Sequence, residues 1–67
     1  MTYQEAKSVV GTYVRLIVES HRGPTTERVH VFNIGMAPRL GPCLFTDHGE
    51  IRLDKVLRFE AIRQNAA

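Results

Sequence analysis

From residue 13 onward, the chain consists of short segments in which apolar and polar residues alternate, separated by residues typical of turns. Such alternation places the apolar side chains on one face of a strand and the polar side chains on the other. A series of short strands at close spacing is typical of small antiparallel barrels, because a barrel hides the strand edges that invite aggregation. The pattern therefore predicts a mainly β protein.

Residues 13–19 and 28–34 predict the first two strands, joined by the turn-forming residues 21–26. The inner faces of both strands are apolar and carry Val14, Leu16, Val18, Val29 and Val31. Phe32 and Ile34 fall on the opposite face of the second strand, so we expect a bend or bulge near Phe32 and Asn33, or burial of both faces.

Residues 35–42 read Gly-Met-Ala-Pro-Arg-Leu-Gly-Pro and predict a long loop, because prolines lack the N–H donors that a central strand needs. Residues 43–46 and 50–53 then predict a hairpin around the tight turn Asp-His-Gly at residues 47–49. We expect a single helical turn at residues 54–56 to carry the chain round a corner into a fifth strand, which ends at Ile62.

The first residues predict a short amphipathic helix. Thr2 followed by Glu5 is the pattern of a capping box, and Gly11 is placed to end the helix. The apolar face of this helix carries Tyr3, Ala6, Val9 and Val10. A helix of about two turns is unstable alone, so it must pack on the strands.

Together these elements predict one domain over residues 1–67: a small SH3-like or Sm-like antiparallel five-stranded barrel at about 12–63, with the short N-terminal helix at about 2–10. A chain of 67 residues, 43% of them apolar, supports one small core. The formal charge of +2 is only a mild basic bias. No apolar run approaches the roughly 20 residues of a membrane span.

Cys43 is the only cysteine, which excludes an intrachain disulfide. Because it lies beside Leu44 and Phe45, we predict that it is a buried structural thiol. The chain shows no apolar signal segment at its start, and a single cysteine suits a reducing compartment. We therefore expect a cytoplasmic protein.

Residues 49–56 read Gly-Glu-Ile-Arg-Leu-Asp-Lys-Val. This stretch resembles the last two strands of the Rho-binding antiterminator family, small bacterial Sm-like proteins that end in a similar Arg-x-Leu-Asp-Lys-Ile run. It also resembles the C-terminal part of WYL domains, the Sm-like ligand-sensing modules of bacterial transcription regulators. The resemblance implies an Sm-like barrel, and for the antiterminator family it implies binding to a transcription termination factor.

Basic residues recur on the outward positions of the predicted strands: Arg15, Arg28, His30, Arg52, Arg58 and Arg63. A row of guanidinium groups can follow a phosphate backbone, and Tyr13 or Phe45 can stack on a base. In the alternative interpretation, the arginines pair with acidic residues on neighbouring strands and only solvate the barrel. The arginines concerned are Arg15, Arg52 and Arg58, and the acids are Glu19, Glu50 and Glu60.

The loop at 35–42 is the second candidate site. Met36, Arg39 and Leu40 can present an apolar and cationic tip to a protein partner. Alternatively, Met36 and Leu40 cap an open end of the barrel.

Catalytic and metal-binding patterns are missing from the sequence. The three histidines have no paired ligand spacing, and the chain has neither a glycine-rich phosphate loop nor a nucleophile elbow. We therefore predict no enzyme activity, cofactor or metal. The function hypothesis is a bacterial nucleic-acid-binding or transcription-related regulator, and the alternative is a protein-interaction adaptor, such as an antiterminator-like binder of a termination factor, that acts through residues 35–42.

A homodimer is a further expectation. The predicted strands leave apolar side chains on faces that a monomer would expose to water, namely Tyr13, Ile17, Phe32, Ile34 and Ile62. In the alternative, the N-terminal helix covers this surface through Tyr3, Val9 and Val10.

Overall fold

The computed structural model describes residues 1–62. These residues form helix α1 (Tyr3–Ser8), strands β1 (Tyr13–Val18), β2 (Thr25–Ala37), β3 (Gly41–Thr46) and β4 (Gly49–Arg52), a 3-10 turn (Leu53–Lys55) and strand β5 (Val56–Ala61). The strands pair antiparallel in one sheet with the order β4-β3-β2-β1-β5. The mainly β fold with a short N-terminal helix is confirmed, and the 3-10 turn lies within one residue of the predicted helical turn.

Helix α1 begins with the predicted capping box. The Thr2 hydroxyl accepts a hydrogen bond from the Glu5 amide at 3.1 Å, and the Glu5 carboxylate accepts one from the Thr2 amide at 2.8 Å. These two bonds satisfy amide groups that have no partner inside the helix. Ala6 and Val9 are buried in the core, which anchors this short helix on the sheet.

Strand β2 pairs with two neighbouring strands, one along each half of its length. Its first half pairs with β1, from Thr25 to His30, and its second half pairs with β3, from Val31 to Ala37. The register shifts between Val31 and Asn33, so Phe32 is the extra residue of a bulge. The predicted irregularity near Phe32 and Asn33 is therefore confirmed.

The predicted long loop at residues 35–42 is wrong. Strand β2 continues to Ala37 and β3 begins at Gly41, so that only residues 38–40 form the turn. Pro42 is tolerated in β3 because β4 pairs with β3 only from Cys43 onward, and the missing N–H costs no bond to β4. Arg39 and Gly41 adopt positive φ angles of 69° and 80°, which let the chain reverse in so few residues.

The core lies on the inner face of the sheet. Its fully buried side chains include Val14, Leu16, Val29, Val31 and Leu44. Four of these five were predicted to point inward from the alternation on β1 and β2, whereas the predicted inward residue Val18 is only half-buried. The sheet is open rather than closed, because within residues 1–62 β4 pairs only with β3 and β5 only with β1.

Candidate nucleic-acid interface

The outer face of β1 and β2 brings three of the predicted basic residues together. Tyr13 lies opposite His30 in the register, and Arg15 lies opposite Arg28. Their neighbours Val14 and Val29 point into the core, so these four side chains point away from it. Pairing across adjacent strands brings the Cβ atoms of opposite residues to about 5 Å, which makes this a continuous surface.

Aromatic rings form a row across this face, which we call the aromatic row (Tyr13, His30 and Phe32). The ring centroids of Tyr13 and His30 are 4.6 Å apart, and those of His30 and Phe32 are 4.9 Å apart. Tyr13 is 44% exposed and Phe32 is 58% exposed. The row therefore presents ring surface to the solvent at both of its ends.

Phe32 was not predicted to be part of the site. The bulge at Phe32 places its ring in solvent next to His30. The sequence did contain a signal, because Phe32 leaves the inward series of Val29 and Val31 on the same strand.

His30 is fixed to the turn between β3 and β4. Its backbone amide donates to the Asp47 carboxylate at 3.0 Å, and the Asp47 amide donates to the His30 carbonyl at 3.2 Å. The imidazole Nδ1 is buried and finds no hydrogen-bond partner among residues 1–62. The backbone of the aromatic row is thus held in place, while one of its polar atoms lacks a protein partner.

A shallow groove continues this face onto β5. It has a volume of about 370 Å³ and is lined by Arg15, Ile17, Arg58, Phe59 and Glu60. Arg15 Nη1 lies 3.5 Å from Glu60 Oε2, but both side chains are largely exposed, so this ion pair is weak. Because two guanidinium groups face one carboxylate, the groove carries net positive charge; we call it the arginine groove.

Arg52, also among the predicted basic residues, does not lie on this surface. It lies on β4, at the other end of the sheet order, and its Nη2 contacts Asp54 Oδ2 at 2.6 Å. Its register partner on β3 is Cys43, which is buried as predicted. Burial raises the pKa of the Cys43 thiol.

Phe45, which was predicted to stack on a base, is not one of the rings of the aromatic row. Phe45 is on β3, where a Cβ atom added to Gly35 would lie 3.1 Å from its ring, so the ring packs over the glycine. Arg63 falls outside the residues that the structure describes.

The predicted pairing of arginines with acids holds only for Arg15. Among residues 1–62 the ion pairs are Arg15 with Glu60 and Arg52 with Asp54. Arg28 and Arg58 form none within that part of the chain, so their guanidinium groups are available to an anionic ligand.

The turn between β2 and β3 forms an exposed tip. Met36 is 72% exposed and Leu40 is 37% exposed, and Arg39 lies beside them in the turn. Met36 thus does not cap an end of the sheet. The tip residues Met36, Arg39 and Leu40 are close in the chain but belong to a hairpin end instead of a long loop.

Comparison with known proteins finds no family model, no curated protein and no solved structure that matches this chain. Within residues 1–62, no group of three or more His, Cys, Asp or Glu side chains is placed to hold a metal ion. Among the helices of the same residues, none has the length and apolar character needed to cross a membrane.

Proposed function

We propose that this chain is a nonenzymatic module of the bacterial cytoplasm that binds single-stranded nucleic acid in a transcription-related role. The observation that carries the proposal is the exposed aromatic row beside Arg15 and Arg28. The transcription-related role is supported by the resemblance of residues 49–56 to two bacterial families that act in transcription.

The arrangement combines the two interactions that single strands need. Unpaired bases stack on exposed aromatic rings, which contributes about 1–3 kcal/mol per base with little sequence preference. Guanidinium groups next to the rings bind phosphates and release the counterions that surround the strand. Tyr13 and Phe32 supply the rings, and Arg15, Arg28 and Arg58 supply the charge.

A duplex fits this face less well, because its bases are already stacked and its base pairs cannot lie on protein rings. The rings lie on β1 and β2, and the guanidinium groups of the arginine groove lie on β1 and β5. A nucleic-acid strand that runs from β2 across β1 to β5 would contact both. A single strand is therefore the ligand that uses the aromatic row and the arginine groove together.

The test is fluorescence anisotropy with a labelled uridine-rich RNA strand, measured at several salt concentrations. We expect Tyr13→Ala and Phe32→Ala each to weaken binding by about 5-fold to 150-fold without changing the salt dependence. We expect Arg28→Gln to lower the slope of log affinity against log salt by about 0.7, the value for one phosphate contact on a single strand.

Matched controls lie elsewhere on the chain. Tyr3→Ala removes an exposed ring on α1, and Arg22→Gln removes a cation from the turn between β1 and β2. Neither control should alter the affinity by more than about 2-fold. Equal losses in Tyr3→Ala and Tyr13→Ala, or a duplex that competes as well as the single strand, would contradict the proposal.

A protein-interaction adaptor is the second candidate function, supported by the exposure of Met36 at the β2–β3 tip. An apolar contact of this kind should persist at high salt, unlike phosphate contacts. The test is a pull-down from nuclease-treated bacterial lysate with the parent, Met36→Ser and Tyr13→Ala proteins. The adaptor function requires a captured protein that is lost with Met36→Ser and kept with Tyr13→Ala.

A further inference from the structure

Strand β5 is an edge of the sheet whose sequence is complementary to itself. It reads Val-Leu-Arg-Phe-Glu-Ala over Val56–Ala61, with Arg58 and Glu60 on either side of Phe59. If two copies of this strand run antiparallel with Phe59 at the centre, Arg58 of each copy lies opposite Glu60 of the other. Opposite charges at facing positions stabilise a strand pair, whereas like charges destabilise it.

The directions of the backbone N–H and C=O groups of β5 fit the antiparallel register centred on Phe59. The Ile62 amide donates to the Tyr13 carbonyl at 3.0 Å, which marks the Tyr13 and Ile62 positions as a hydrogen-bonded pair. In an antiparallel ladder such pairs alternate, so Arg58 and Glu60 also direct their backbone groups toward β1. Phe59 and Ala61 then direct theirs to the outer edge, where an antiparallel copy centred on Phe59 can accept and donate hydrogen bonds.

The apolar side chains of β5 favour the same partner. Phe59 is only half-buried and Ala61 is exposed, and both alternate with the charged residues Arg58 and Glu60. Leu57 is 50% exposed and is the extra residue of a bulge, because the register with β1 passes from Arg58 to Val56. In the register centred on Phe59, the two Phe59 rings meet. The pairing would therefore bury apolar surface on the face opposite the ion pairs.

We infer that this chain forms a two-fold dimer through antiparallel pairing of β5 with β5 of a second copy, centred on Phe59. A two-fold axis requires each surface to match itself, and the order Arg58, Phe59, Glu60 meets that requirement. Each Glu60 then lies between Arg15 of its own chain and Arg58 of the second copy. Because each chain contributes two arginines and one glutamate, the seam between the copies remains positively charged.

Charge reversal tests the register directly. We expect sedimentation equilibrium of the parent to give twice the chain mass of 7.6 kDa, and Arg58→Glu and Glu60→Arg each to return it to 7.6 kDa. Each single variant would place like charges opposite one another in the dimer. The double variant Arg58→Glu/Glu60→Arg should dimerise again, and an equimolar mixture of the two single variants should form a heterodimer of twice the chain mass.

Two further variants keep the result interpretable. Arg22→Glu makes the same charge change in a turn away from β5 and should leave the dimer intact. Ala61→Pro removes an N–H that points away from β1, so it should abolish the dimer while the far-ultraviolet circular dichroism of the folded chain is retained. A monomeric parent across the micromolar range, a dimer that survives Arg58→Glu, or a mixture that stays monomeric would overturn the inference. All measurements are made without nucleic acid, so their outcome is separate from that of the proposed function.

Discussion

Phe32 is exposed because one extra residue is inserted into β2. A bulge directs an additional side chain outward and increases the local twist of the strand. Val31 thereby stays in the core while Phe32 reaches the solvent beside His30. A single backbone irregularity thus creates one end of the aromatic row.

Cys43 permits a test at the scale of single residues. The side chain is fully buried, and burial raises the pKa of its thiol, so little thiolate forms near neutral pH. We expect iodoacetamide at pH 8 to alkylate the folded protein far more slowly than the protein in urea, as followed by mass spectrometry. Equal rates in both conditions would show that Cys43 is accessible.

The elements show what the sequence can predict. Alternation located β1, because one face of this strand lies in the core. The turn residues at 47–49 located the hairpin of β3 and β4. The same reasoning failed at residues 35–42, since proline and glycine were interpreted as loop signals. Pro42 is harmless there because it lies beyond the part of β3 that pairs with β4, and strand alternation carries no information on where a neighbouring strand ends.

The capping box of α1 gives the prediction at the scale of elements. Hydrogen bonds with the backbone and side chain of Thr2 lower the pKa of the Glu5 carboxyl below its ordinary value of 4.5. A lowered pKa in the folded state means that this contribution to stability is present above pH 4.5 and is lost as the pH falls through the folded value. We expect an NMR titration of Glu5 to have its midpoint below 4.5 in the parent.

The variant Thr2→Ala is the matching comparison. It should move the Glu5 midpoint back toward 4.5 and lower the free energy of unfolding by about 1 kcal/mol, a typical loss for an N-cap residue. An unchanged midpoint would mean that the capping box does not persist in solution.

At the scale of the whole molecule, the candidate site depends on strand order. Outward positions on single strands could be predicted for Arg15 and His30, which each lie between buried residues, and for Arg28, which precedes the buried Val29. Their assembly on one surface requires β1 to lie beside β2, whereas Arg52 is excluded because β4 lies at the far edge. Alternation within a strand does not encode which strands are neighbours, so this division of the basic residues could not be predicted.

The small core makes the whole fold sensitive to one truncation. Leu53 is 3% exposed and belongs to the core cluster, so Leu53→Ala should cost about 2–5 kcal/mol. A domain of this size has a total stability of about 3–5 kcal/mol, so this variant should be largely unfolded. Phe59 was also predicted to lie fully inward, but it is half-buried, and Phe59→Ala should cost less. Urea unfolding followed by circular dichroism measures both, and equal losses would contradict the difference in burial.

The sheet order has a consequence for how the chain folds. Each of β1–β2, β2–β3 and β3–β4 joins strands that are consecutive in the chain, so these hairpins form over short distances. Strand β5 instead pairs with β1 across about 40 intervening residues, as in the pairing of Leu16 with Phe59. Closing this longer loop has a larger entropy cost. Strand β5 should therefore dock last during folding, and its amides should exchange with solvent before those of β2 when the native state opens locally.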